Sequence, residues 1–191
     1  MKLTVRQITI AAGLSAVSAI TQLVHIGYQS PQFGMWIDVV AVSWLIAFFL
    51  FGMRMAFLVS TIGALMITLF APETWLGAGM KWIATFPMWM VPFLFLKLTK
   101  KPLSSYHSFR FVLLPLIIAL FIRFLIVIPL NYYVAIPIWT GMSTAKAMAV
   151  IPWYVIALFN GVQGIIDVAA SWILVFVFKL NRFSGIKHEN S

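Results

Sequence analysis

The sequence contains no cysteine and only four acidic residues among its 191 positions. The absence of cysteine excludes disulfides, a thiolate nucleophile and a cysteine-ligated metal. Charged residues make up 9% of the chain, whereas 63% of the residues are hydrophobic. A water-soluble domain needs many more polar side chains than this. The composition therefore predicts a single integral membrane domain that covers residues 1–191.

Sequence signatures of enzymes are also missing. The chain carries no P-loop, no HExxH or GxSxG motif and no paired carboxylates. Its histidines, His25, His107 and His188, are scattered along the sequence. We therefore expect no catalytic residues, no metal site and no cofactor. Without a P-loop the chain has no means of driving transport with ATP by itself, and it lacks the repeated polar ring of a channel.

Long, continuous apolar runs dominate what is present. A membrane-spanning helix needs about 20 such residues, whereas a transmembrane barrel would show alternating strands. The runs predict an all-α membrane protein with six transmembrane helices, at residues 8–26, 37–51, 55–70, 79–98, 109–131 and 152–180. The connection 132–151 is predicted to be a partly apolar loop that folds over the bundle.

The positions of the positive charges predict the orientation in the membrane. With the N-terminus in the cytoplasm, ten of the thirteen Lys and Arg residues fall on the cytoplasmic side: Lys2, Arg6, Arg54, Lys97, Lys100, Lys101, Arg110, Lys179, Arg182 and Lys187. Lys146 and Lys81 fall on the outer side, and Arg123 lies within a span. The positive-inside rule therefore places both termini in the cytoplasm. The same pattern argues against nucleic-acid binding, which needs basic residues gathered on one water-facing surface.

The sixth span carries polar side chains on one helical face. Asn160, Gln163, Gly164 and Asp167 follow the spacing i, i+3, i+4 and i+7, and Trp153 extends this face outward. Polar groups in a span do not face lipid. The stripe either lines a ligand cavity or forms a hydrogen-bonded seam between helices.

Arg123 lies well inside the fifth predicted span, and Asp167 lies well inside the sixth. Neighbouring antiparallel helices bring such residues to similar depth. Because an unpaired charge in a span is very unfavourable, we expect an ion pair between them. A structural role is favoured over proton coupling, since an arginine holds its partner carboxylate ionised.

Polar and aromatic side chains also gather at the predicted outer ends of the helices. Asp38 opens the second span, Lys81 opens the fourth, and Asn131 closes the fifth. Several aromatic residues surround them, namely Trp36, Trp75, Trp82, Tyr132, Tyr133, Trp139 and Trp153. These residues form either an interfacial aromatic belt or an outward-facing pocket that stacks a flat ligand.

Small residues follow a helical spacing in the first span. Ala12 and Ala16 form one such pair, and Ser15 and Ala19 form another. Small faces let two membrane helices approach closely. They serve either packing within this chain or docking of another membrane subunit.

Several segments resemble the substrate-binding S component of energy-coupling factor (ECF) transporters, and within that family the riboflavin-specific type. Residues 129–137, Pro-Leu-Asn-Tyr-Tyr-Val-Ala-Ile-Pro, are similar to that group's Leu-Asn-Tyr followed by an apolar pair and Pro. Residues 151–164 are similar to its Pro-Phe-Asn-x-x-Lys-Gly motif. Trp36-Ile37-Asp38 and Phe51-Gly52 bracket the second span as Lys-Ile-Asp and Tyr-Gly do in the group.

The resemblance implies a subunit of a prokaryotic plasma-membrane transporter that captures a vitamin, most simply riboflavin, from outside. Asn131 and Asn160 would then bind the edge of the flavin ring. Ala12 and Ala16 would dock on the transmembrane T subunit, and two cytoplasmic ATPase subunits would power transport. Together with the residues described above, this gives a predicted site of Asn131, Asn160 and Gln163 as hydrogen-bonding groups, Trp36, Tyr132 and Trp153 as stacking groups, and Asp38 and Lys81 as contacts for the polar tail.

The sequence departs from the riboflavin group at three places. Gln163 stands where the group has lysine, Val40-Ala41 replaces a Ser-Asp pair, and Gly63-Ala64 replaces a Lys-Asn pair. Another vitamin or a precursor is therefore an alternative ligand. Two alternative functions are a stand-alone carrier of a small solute and a membrane protein of structural role without a ligand.

Overall fold

A computed structural model describes residues 4–24, 26–30, 35–70 and 75–183 of the chain. Lys2, His25, Lys187 and His188 lie outside the described residues. The described helices are α1 (Val5–Leu23), α2 (Val42–Phe51), α3 (Met53–Phe70), α4 (Trp75–Thr99), α5 (Phe109–Leu130), α6 (Ile136–Thr140), α7 (Thr144–Val150) and α8 (Trp153–Trp172). Two short strands, β1 (Gly27–Gln29) and β2 (Trp36–Asp38), lie between α1 and α2.

Local chemistry sets the ends of the helices. A capping box opens α1: the Thr4 backbone N–H donates to Gln7 Oε1 at 3.0 Å, and Gln7 N–H donates to Thr4 Oγ1 at 3.2 Å. Gly52 ends α2 with φ of 82°, a conformation that favours glycine, and α3 begins at the next residue. A tight break therefore separates α2 from α3.

Four helical stretches in the described ranges are long and apolar enough to cross a membrane: 53–70, 75–99, 109–140 and 153–177. The chain is thus a multi-pass membrane protein. The shorter α2 is apolar throughout, and its residues from Val42 to Leu50 are all buried. It contacts α1, α3 and α8, which places it inside the bundle. The count of six spans and the cytoplasmic position of both termini stay predictions.

The prediction of an all-α chain was wrong in one element. β1 and β2 form an antiparallel hairpin in which Gly27 pairs with Asp38 and Gln29 pairs with Trp36. The second span therefore starts at Val42 and not at residue 37. Glycine is needed at Gly27, because a Cβ there would lie 2.2 Å from the Ile37 carbonyl oxygen. Tyr28, Trp36 and Ile37 are residue types that favour strands.

The prediction of a loop at 132–151 was also wrong. The helix that begins with α5 continues through a π-helical turn, Asn131–Ala135, into α6, so that 109–140 is one continuous helical run. Pro137 lies just after this π-helical turn, in which the Ile136 N–H donates to the Asn131 carbonyl, and it does not end the run. Gly141, with φ of 69°, ends the run, and α7 follows.

Other boundaries differ by a few residues. The fourth span begins at Trp75, four residues before the predicted start, and α8 ends at Trp172 with a π-helical turn from Ile173 to Val177. The fully buried Tyr106 closes one end of the bundle: its hydroxyl donates to the Pro92 carbonyl at 2.7 Å, and its own carbonyl accepts from Trp172 Nε1 at 2.8 Å. Burial raises the pKa of Tyr106 well above its usual value.

Candidate functional site

A cavity of about 470 Å³ lies among the hairpin, α4, α5 and α8. This volume is within the range of pockets that hold small molecules, about 300–1,000 Å³. Small residues of α4, Gly77, Ala78 and Ala84, form part of its wall and leave the space open. Six residues of the predicted site also line it: Trp36, Asp38, Lys81, Asn131, Asn160 and Gln163.

Tyr132 and Trp153 do not line this cavity. The Tyr132 side chain is buried, and its hydroxyl donates to the Ile151 carbonyl at 2.6 Å. Trp153 is 61% exposed and packs edge-on against Tyr154. Neither position supports the predicted stacking role. The cavity instead has Trp139 and Phe159 on its wall, together with Trp36.

Asn131 is the first residue of the π-helical turn and is half-buried. Its Nδ2 donates one hydrogen bond, to the Val127 carbonyl one turn earlier, at 2.8 Å. An amide carries two donor hydrogens and one acceptor oxygen. The side-chain oxygen and the second N–H of Asn131 are therefore available to a ligand.

Asn160 contacts Arg123 across the α5–α8 interface. The Asn160 Oδ1 accepts from Arg123 Nη2 at 3.1 Å and from Arg123 Nε at 3.3 Å. The Asn160 Nδ2 donates to the Ile156 carbonyl at 3.0 Å. One of the three amides expected to bind a ligand is thus tied to a buried arginine.

Gln163 binds β2 through both ends of its amide. Its Oε1 accepts from the Asp38 backbone N–H at 2.8 Å, and its Nε2 donates to the Asp38 carbonyl at 2.8 Å. The Nε2 also donates to Asp167 Oδ1 at 2.7 Å. Both amide hydrogens are therefore used inside the protein. Gln163 joins α8 to the hairpin at the edge of the cavity.

Asp38 and Lys81 form an ion pair on the cavity wall. Asp38 Oδ1 also accepts from the backbone N–H of Val40 at 3.0 Å, which fixes the turn before α2. The Asp38 side chain is 8% exposed and the Lys81 side chain 16%. The pair thus joins the hairpin to α4 and leaves part of the lysine open to solvent.

Arg123 and Asp167 lie close together, as the sequence suggested. The Arg123 Nη1 and Asp167 Oδ2 atoms are 4.0 Å apart, and the two residues are 2% and 0% exposed. Neither of these two atoms has a hydrogen-bond partner. Arg123 also lines the cavity. Its side chain therefore contributes both to the contact between helices and to the cavity wall.

Sequence reasoning missed several residues on the wall. Gln29 and Met35 reach it through the hairpin, which was not predicted, and the chain offers no periodic signal for strands of three residues. Trp139 was expected among the aromatic residues at the outer ends of the helices but was left out of the predicted site, and the continuous helix brings it to the cavity. No cluster of metal-ligating side chains occurs among the residues that the structure describes.

One solved structure is the S component of a bacterial ECF transporter. It is similar to this chain with a TM-score of 0.71 and 21% sequence identity, over 92% of this chain and 96% of the other. The chain has the S-component fold. No family model and no curated protein matches the sequence.

The resemblance drawn from the short motifs is therefore confirmed at the level of the fold. The riboflavin-specific part of that resemblance stays a prediction, because a likeness at 21% identity concerns architecture alone. In this S-component fold, the cavity combines amides, aromatic rings and one ion pair on its wall. Such a lining suits a flat, uncharged molecule with polar atoms on its edge.

Proposed function

We propose that this chain is the substrate-binding subunit of an ECF transporter in a prokaryotic plasma membrane and captures riboflavin or a related flavin from the outer side. The observation that carries the proposal is the cavity of about 470 Å³ within an S-component fold, with two asparagine amides on its wall. A void of this size is not needed for a hydrogen-bonded seam between helices, which would close up around its polar groups.

The chemistry of the wall supports a flat heterocyclic ligand. Trp36, Trp139 and Phe159 offer aromatic surface for the faces of a ring system. Asn131 and Asn160 offer hydrogen bonds to its edge. Lys81 and Asp38 meet hydroxyl groups of a polar tail. The protein's part in this function is binding, and no step of it requires a catalytic group.

The two faces of α1 support a partner subunit. Ala11 and Ser15 are buried, and Ser15 Oγ donates to the Val59 carbonyl of α3 at 3.3 Å. Ala12 is exposed and Ala16 is half-buried. The inner face of α1 is thus used within the chain, and the Ala12–Ala16 face stays open for the T subunit. Two cytoplasmic ATPase subunits would supply the energy, since this chain has no P-loop.

The first test is to identify what the protein binds. We expect the purified chain to carry a flavin that mass spectrometry identifies, and riboflavin to quench its tryptophan fluorescence on titration. A colourless preparation with unchanged emission would rule out riboflavin. A different vitamin in the mass spectrum would keep the binding function and change the ligand. Uptake into vesicles that contain this chain alone would instead favour a stand-alone carrier.

Asn131 gives a sharper test because its side-chain hydrogen bond in the described structure, to the Val127 carbonyl, lies within its own helical run. We expect Asn131→Leu to weaken riboflavin binding by about 1–3 kcal/mol, the cost of leaving a polar group of the ligand unpaired. Thermal unfolding should change little. Tyr133→Phe is the matched control, because Tyr133 lies on the same turn and is 65% exposed. Equal affinity of the Asn131 variant and the wild type would remove Asn131 from the site.

A further inference from the structure

Arg123 is an unusual wall residue because it is 2% exposed and donates two of its hydrogen bonds to one acceptor, Asn160 Oδ1. A guanidinium group has donors only. The amide of Asn160 must therefore turn its oxygen toward Arg123. The reverse orientation would set an NH₂ group against the guanidinium, which is unfavourable in a buried site.

This orientation limits what Asn160 can offer to a ligand. Its oxygen is occupied by two donors, and one amide hydrogen goes to the Ile156 carbonyl. The group that remains is the second N–H. Asn131 differs, because no arginine holds its oxygen, and it can accept as well as donate.

Arg123 also has one donor nitrogen, Nη1, that has no hydrogen-bond partner in the described part of the protein. Nη1 lies 4.0 Å from Asp167 Oδ2. A buried donor without a partner is unfavourable by about 1–3 kcal/mol. An acceptor that reached this atom from the cavity would satisfy it.

We propose that Arg123 is a specificity-determining residue that holds Asn160 as a hydrogen-bond donor, so that the cavity selects a ligand with an acceptor, a carbonyl oxygen or a ring nitrogen, opposite α8. This inference rests on the proposed function. It adds that the edge of the ligand that faces Asn160 carries a hydrogen-bond acceptor. A ligand that presents an N–H or NH₂ group at this position meets another donor and is rejected. Asn131 accommodates either polarity.

Two variants test the role of Arg123, with riboflavin as the probe. Asn160→Asp keeps the shape and the acceptor for Arg123 but removes the N–H. We expect riboflavin affinity to fall about tenfold or more, because one ligand acceptor loses its partner. Thermal stability should fall only through the loss of the amide's bond to the Ile156 carbonyl, because the carboxylate still accepts from Arg123. Unchanged affinity would overturn the proposal.

The second variant, Arg123→Lys, keeps the positive charge beside Asp167 and loses the fork that orients the amide. Its readout is selectivity. We expect the wild type to prefer riboflavin over analogues in which sulfur, a weak acceptor, replaces one ring carbonyl oxygen at a time. For one of these analogues, the variant should bind riboflavin and the analogue with nearly equal affinity. Tyr154→Phe, an exposed change on α8, is the control and should keep it.

The outcomes separate the two proposals. If the wild type does not bind riboflavin, the proposed ligand fails, and the inference about its acceptor fails with it. If the wild type binds riboflavin and Arg123→Lys keeps the full preference against every thio analogue, Arg123 has only a structural role, and the proposed function is unaffected.

Discussion

At the scale of single residues, Gln163 shows how one amide can replace a strand. Its oxygen and nitrogen bond the backbone N–H and carbonyl of Asp38, the same two groups that a neighbouring strand would bond. Asp38 is buried, so its backbone groups need partners that the protein itself supplies. The side chain expected to contact a ligand therefore completes the hairpin.

The role of Gln163 predicts a loss of stability. Gln163→Leu leaves the Asp38 backbone groups and Asp167 Oδ1 without their partner, so we expect it to lower the free energy of unfolding by about 1–3 kcal/mol or more. Denaturant unfolding in detergent micelles measures the change. Gln163→Glu keeps an acceptor for the Asp38 N–H but sets a carboxylate oxygen against Asp167 Oδ1 and the Asp38 carbonyl, so we expect it to lower stability as well. Normal stability with lost binding would instead make Gln163 a ligand contact.

At the scale of elements, the hairpin connects two sides of the cavity. Asp38 pairs with Lys81 of α4 and with Gln163 of α8, while Gln29 and Trp36 lie on the cavity wall. The hairpin holds its register through side chains of the bundle as well as through its own ladder. Any distortion of β1 should therefore be transmitted to the wall.

Gly27 provides the test of this connection. A Cβ at Gly27 would lie 2.2 Å from the Ile37 carbonyl oxygen, so Gly27→Ala must separate the strands. We expect it to weaken ligand binding severalfold, as a titration would measure. Gly13→Ala is the matched control, since a Cβ there meets nothing within 4 Å. Equal affinity for both variants would show that the hairpin does not shape the site.

The sequence predicted the elements whose signal is local and long. Apolar runs located the spans, and the spacing of Asn160, Gln163 and Asp167 placed them on one face, since a helix repeats every 3.6 residues. The hairpin has no comparable signal in strands of three residues, so the bonds from Gln163 to Asp38 could not be predicted. Asn131 and Pro137 looked like the end of a helix, yet the helix continues through a π-helical turn and past the proline.

At the scale of the whole molecule, the two described carboxylates lie within the bundle, where Asp38 pairs with Lys81 and Asp167 lies beside Arg123. The cations at the predicted cytoplasmic side, such as Arg54 and Lys100, are exposed. Among residues 4–24, 26–30, 35–70 and 75–183, the charge that remains on the surface is therefore positive. Which side of the membrane these cations face stays a prediction of the positive-inside rule.

Orientation is directly testable because the natural chain has no cysteine. Single cysteines placed at exposed positions report the side of the membrane. We expect Lys146→Cys to react with a membrane-impermeant maleimide added to intact cells, and Lys100→Cys to react only after the cells are opened. The reverse pattern would invert the topology and place the cavity on the wrong side for uptake.

Because the Ala12–Ala16 face of α1 is open, we expect a substitution there to affect assembly with a partner subunit and not the folding of this chain. Ala12→Leu changes an exposed position and should leave unfolding and ligand binding unchanged while it reduces copurification with the T subunit. Ala11→Leu, at a neighbouring position that is 2% exposed, should instead lower stability by overpacking. Normal assembly of the Ala12 variant would place the partner elsewhere.

The small residues of α4 have a consequence for the size of the ligand that the cavity can hold. The room inside the bundle exists because Gly77, Ala78 and Ala84 present almost no side chain there. Replacing any of them with valine or leucine would reduce the volume of the cavity and leave its polar groups unchanged. Under the proposed function, such an exchange on α4 would favour a smaller ligand while the amides and charges of the wall stay as they are.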